Sequence, residues 1–104
     1  MSITDTTTAR YDILSIRGTG EFCVRRIDAS GAGAATSRLP LAKAEVALAA
    51  FLSGVVVRRF RERDTKCASC SSDARWMVGT TDEPNNATAC DRHQFTWIRR
   101  MGGE

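Results

Sequence analysis

The strongest constraint on this 104-residue chain is the spacing of three of its four cysteines and its single histidine. Cys67 and Cys70 enclose Ala68-Ser69, Cys90 and His93 enclose Asp91-Arg92, and nineteen residues separate the two pairs. A two-residue gap lets both side chains of a pair converge from one tight turn, and an excursion of this length can bring the second pair back onto the first. The residues between suit that path. Ser71 to Gly79 can run out as a strand, and Thr80 to Asn86, TTDEPNN, is dense in turn formers. A loop or hairpin is expected here, with four donor side chains at its base.

Three thiolates and one imidazole form a soft donor set that favours Zn2+ among the common cytosolic ions. Cys67, Cys70, Cys90 and His93 are therefore the expected metal ligands, for one ion. Four protein donors close the coordination shell, which marks a structural rather than a catalytic site. Three other readings compete. A disulfide framework belongs to oxidising compartments, and Met1 to Arg10 has neither the basic start nor the apolar run of a secretory signal. A thioredoxin-like redox pair at Cys67 and Cys70 would open a helix after a strand, which Ala-Ser followed by Cys-Ser-Ser-Asp does not favour. Coincidental spacing is the third. A deaminase would need His-x-Glu ahead of Pro-Cys-x-x-Cys, and neither is present. Cys23 lies far from both pairs and reads as a small buried hydrophobe.

CASC, a hairpin-like excursion, and CDRH leading into QFTWIRRM resemble the zinc-ribbon and treble-clef group of zinc fingers over residues 67–101. In treble clefs the second ligand pair sits at the start of a helix. Phe95, Ile98 and Met101, with Trp97 beside them, fit a short helix after His93 better than strict alternation. The resemblance implies a zinc-held module used for binding and names no target. Trp76, Trp97 and Phe95 flank the ligand pairs and are expected to form the small core over the metal.

The rest of the chain predicts an α+β protein. Residues 1–10 are polar and Thr-rich and read as a disordered tail. Tyr11 to Ile27 places β-prone residues on both sides of Gly18-Thr19-Gly20 and reads as a hairpin. Asp28 to Arg38, DASGAGAATSR, has no apolar periodicity and is expected to be a flexible connection. Leu41, Ala44, Leu48, Phe51, Leu52 and Val55 recur on a helical period, with Pro40 suited to the first turn and Gly54 placed to end the helix. Val55 to Arg63, VVVRRFRER, opens with three β-branched residues and is expected as a strand. The expected division is a small α+β unit over residues 11–66, with the zinc module of residues 67–104 packed on it.

The formal net charge is +3, with +4 over residues 1–66 and −1 over residues 67–104. Thirteen of the fifteen basic residues are Arg, a bias that GC-rich codon usage alone produces, so the charge is a mild signal for nucleic acid. On a Val55–Arg63 strand, Arg59, Arg61 and Arg63 would project from one face and Arg58 from the other. With Arg99 and Arg100 they are the candidate phosphate contacts; the competing reading is a solvated face partnered by Glu62 and Asp64. Non-catalytic binding to nucleic acid or the transcription machinery is the expected function. The alternative is a zinc-stabilised protein-interaction adaptor, with homo-oligomerisation as one mode. An enzyme with a small-molecule substrate is disfavoured, because the only histidine is committed to metal and no carboxylate pair or Gly-rich phosphate loop is evident. The most apolar stretch, Val46 to Val57, is 12 residues long against the roughly 20 that a bilayer demands, so the expectation is a cytoplasmic protein with no membrane partner.

Overall fold

The structure is a computed structural model that describes residues 9–62 and 64–102. Among these residues the chain forms two three-stranded antiparallel sheets and two helices, the α+β class that the sequence predicts. Two compact units, Met1–Leu48 and Ala49–Glu104, meet in sequence inside the first helix. No helix among the described residues is long and apolar enough to cross a membrane.

The first unit carries the sheet β1 (Arg10–Ile16), β2 (Glu21–Asp28) and β3 (Gly31–Ala34), in that order. The expected hairpin is present. Gly18 and Gly20 take the positive φ values of 79° and 71° that reverse the chain, and the Thr19 hydroxyl donates to the Ile16 carbonyl at 2.7 Å. Asp12 lies opposite Arg25 in the register and accepts two hydrogen bonds from its guanidinium, at 3.0 and 2.7 Å. That contact holds the Asp12 carboxyl below the ordinary carboxylate range.

The Gly-rich segment after Asp28 corrects the sequence expectation. Gly31–Ala34 is a strand rather than a flexible connection, and its pairing with β2 continues through Ala35 N–H to the Val24 carbonyl at 2.8 Å and through the Phe22–Leu39 bridge. The Asp28 carboxylate accepts from the Ser30 N–H and hydroxyl, forming the turn that reverses the chain. All four residues of β3 are exposed and two are glycines, so backbone pairing and not side-chain pattern makes this strand. Apolar periodicity has nothing to register in such a segment.

Helix α1 (Leu41–Leu52) starts after Pro40 and stops before Gly54, whose φ of 117° suits only glycine. Its buried face is Ala44, Ala47, Ala50 and Phe51. Leu41 and Leu52, expected within the buried stripe, are 45% and 70% exposed, so the face that packs is rotated toward the alanines.

The second unit holds the sheet β4 (Val55–Arg59), β5 (Trp76–Thr80) and β6 (Ala87–Ala89), with α2 (Gln94–Met101) packed on β5 and β6. The central strand β5 buries Trp76, Met77, Val78 and Gly79 in succession, as a strand covered on both faces must. At Gly79 a Cβ would come within 2.6 Å of Pro84 backbone atoms, so only glycine lets the Thr80–Asn86 loop close over the strand. Strand β4 is shorter than the expected Val55–Arg63. After Arg59 one more backbone bond forms, from Phe60 N–H to the Arg75 carbonyl, and Phe60 is buried with Ala74 and Met77. The chain then leaves the sheet, and Asp64 turns it with a φ of 62°.

Candidate metal centre

The first ligand pair sits in the turn before β5. Cys67 N–H donates to the Ser72 carbonyl, Cys70 N–H to the Cys67 carbonyl, and Ala68 N–H to the Thr88 carbonyl, which ties the turn to β6. The second pair sits in the turn between β6 and α2. There the Cys90 carbonyl accepts from both His93 N–H and Gln94 N–H, at 3.1 and 2.9 Å. His93 occupies the N-cap of α2 without capping it. Its ring faces the cysteines instead, an exchange of a local helix preference for a donor position.

The three sulfurs and one imidazole nitrogen all lie within 4.8 Å of one another. Cys70 Sγ is 3.8 Å from Cys90 Sγ, and His93 Nδ1 is 3.3 Å from Cys90 Sγ and 3.7 Å from Cys67 Sγ. A tetrahedron with metal–sulfur bonds of about 2.3 Å and metal–nitrogen bonds of about 2.0 Å sets sulfurs about 3.8 Å apart and sulfur about 3.5 Å from nitrogen. The donors fit a four-coordinate ion, with Nδ1 as the donating nitrogen of His93.

Backbone N–H groups support the thiolates. Ser69 N–H reaches Cys67 Sγ at 3.3 Å, and Ser72 N–H reaches Cys70 Sγ at 3.4 Å, each from two residues downstream. The Ser72 contacts bring the Cys70 thiol down to about 6, whereas burial pushes the Cys90 thiol up. Cys23 lies apart on β2, buried, with its thiol also raised by burial, as expected of a small hydrophobe.

The two indoles pin the two turns. Trp76, 3% exposed on β5, donates from Nε1 to Asp91 Oδ1 at 2.7 Å, inside the Cys90–His93 turn. Trp97 on α2 donates from Nε1 to Ser69 Oγ at 3.0 Å, inside the Cys67–Cys70 turn. Trp76 and Phe95 are buried with Ile98 as expected of core, whereas Trp97 is only partly buried, and each indole N–H also fixes a ligand loop. Asp91 and Ser69 were not singled out in sequence, although both sit within the ligand pairs; their role depends on which indole reaches them.

The candidate arginines are dispersed. The Arg59 guanidinium lies over the Trp76 ring at 4.6 Å, and Arg100 lies over Trp97 at 4.9 Å. Arg99 approaches the Phe95 ring at 5.9 Å, and Arg58 donates to Asn85 Oδ1 at 3.0 Å. Arg61 is exposed beyond the end of β4, so it does not extend a strand face from Arg59, and Arg63 lies outside the described residues. No protein-family model, curated protein or solved structure matches the chain.

Proposed function

We propose that Cys67, Cys70, Cys90 and His93 hold one structural Zn2+ in a treble-clef-like module, and that the protein is a non-catalytic binding factor whose partner is nucleic acid. The observation that carries the metal reading is four donors within 4.8 Å of one another, three of their separations near tetrahedral values, drawn from two turns that flank the β5–β6 hairpin. The second pair opens α2, which favours the treble-clef arrangement over the zinc ribbon. The ion supplies a crosslink between turns and offsets thiolate charge; with four protein donors it leaves no position for a substrate.

The nucleic-acid reading is supported by the way the arginines are held. Arg59 rests on the indole that pins one ligand turn, and Arg100 on the indole that pins the other. A guanidinium stacked on a ring keeps its edge donors available, and its ordering is already in place before a phosphate arrives. The protein-adaptor reading draws on the exposure of Leu41 and Leu52. Titration of fluorescent duplex and single-stranded oligonucleotides at several salt concentrations separates the two. A steep salt dependence is expected, and replacing Arg59 and Arg100 together by Ala should reduce the magnitude of the log-affinity versus log-salt slope by about 1.4 to 1.8. Absence of binding at low salt would overturn the nucleic-acid reading and leave the adaptor.

A further inference from the structure

We infer that the Cys₃His centre is also an oxidant-sensitive release site, in which Cys70 and Cys90 close a disulfide and free the metal; this rests on the zinc reading above. Three observations converge. Cys67 and Cys90 are 5% and 6% exposed, whereas Cys70 is only partly covered, so Cys70 is the sulfur a small oxidant meets first. The Cys90 sulfur stands 3.8 Å from it on the opposite turn, close enough to resolve an oxidised Cys70 with a modest shift toward the roughly 2.05 Å of a disulfide. An open cavity of about 320 Å³, with Ser72, Arg75 and Cys90 among its walls, borders the Cys90 side of the site, where the resolving sulfur stands.

The chemistry balances with hydrogen peroxide as oxidant. The Cys70 thiolate attacks one peroxide oxygen; the S–O bond forms, the O–O bond breaks, and hydroxide leaves. The Cys90 thiolate then attacks the Cys70 sulfur, the S–S bond forms as the S–O bond breaks, and a second hydroxide leaves. Two electrons from the two sulfurs reduce one peroxide to two waters, with two protons taken from solvent. The zinc keeps its oxidation state and departs as the divalent cation, because two of its four donors have lost their thiolate charge. Reduction by a dithiol reverses the linkage.

The test uses the full-length wild-type chain after its zinc content is measured. Hydrogen peroxide is added in the presence of a chromogenic chelator, thiols are titrated, and the products are mapped by peptide mass spectrometry. Zinc should appear in step with loss of two of the four thiols, in a peptide linking Cys70 to Cys90, with Cys67 and Cys23 still reduced. Dithiothreitol and added zinc should restore the starting state. Retained zinc with four intact thiols at millimolar peroxide would overturn the inference alone. So would a Cys67–Cys70 linkage, or Cys70 oxidised beyond sulfenic acid with Cys90 free. A folded protein that is metal-free from the start would overturn the zinc reading and this inference together.

Discussion

Replacing Cys90 by Ser should weaken metal binding and loosen the segment around it while sparing the first sheet. Cys90 Sγ lies 3.8 Å from the sulfur of Cys70 on the opposite turn and 3.3 Å from Nδ1 of His93 within its own, so it joins the two ligand turns as His93 does through Cys67 at 3.7 Å. A serine hydroxyl is neutral at pH 7 and a poor substitute for a thiolate. Structural zinc in small finger peptides is worth about 10 to 16 kcal/mol at neutral pH. Shared equally over four donors, the loss of one is about 2.5 to 4 kcal/mol, or roughly 10²- to 10³-fold in affinity. Competition against a chromogenic chelator reads the affinity, and amide hydrogen exchange reads the consequence. Protection should fall across residues 67–101, where α2 and the β5–β6 hairpin are tied to the ligand turns, and hold across β1 and β2, whose register bonds involve no ligand residue. Unaltered protection in residues 67–101 of a zinc-free variant would refute the reasoning, because it would mean that the core of Trp76, Val78 and Ile98 suffices without the ion.

Trp76→Phe keeps the aromatic core but removes the hydrogen bond to Asp91, and zinc affinity should fall by about tenfold or more, as for other groups that orient metal ligands; the same chelator competition measures it. Gly79→Ala should destabilise the second unit by about 2 to 3 kcal/mol in chemical denaturation, since the added methyl meets Pro84 backbone rather than a mobile side chain. The depressed Asp12 carboxyl should make its contact with Arg25 acid-sensitive. Its contribution is fully present above the unfolded carboxylate value and is lost as pH falls through the lower folded value. Asp12→Asn should therefore lower the melting temperature at pH 6 and make little difference near pH 2.

The convergence of the four candidate donors and the two helices were legible in the sequence because their signals are local. Two-residue gaps between donors, the apolar period of α1, and glycines at Gly18, Gly20 and Gly54 each state their geometry within a few residues. Tertiary structure decided the rest. Gly31–Ala34 became a strand because β2 offered an unpaired edge, a fact carried by backbone groups common to every residue. Strand β4 stopped at Arg59 because Phe60 found a buried site with Ala74 and Met77, which alternation along the chain cannot foresee. Leu41 and Leu52 stayed exposed because packing favoured the alanine side of α1. The second role of the tryptophans has the same origin. A sequence shows that an indole is near a cysteine, but only the fold determines that Trp76 reaches Asp91 and Trp97 reaches Ser69, since each hydrogen bond joins residues fifteen or more positions apart.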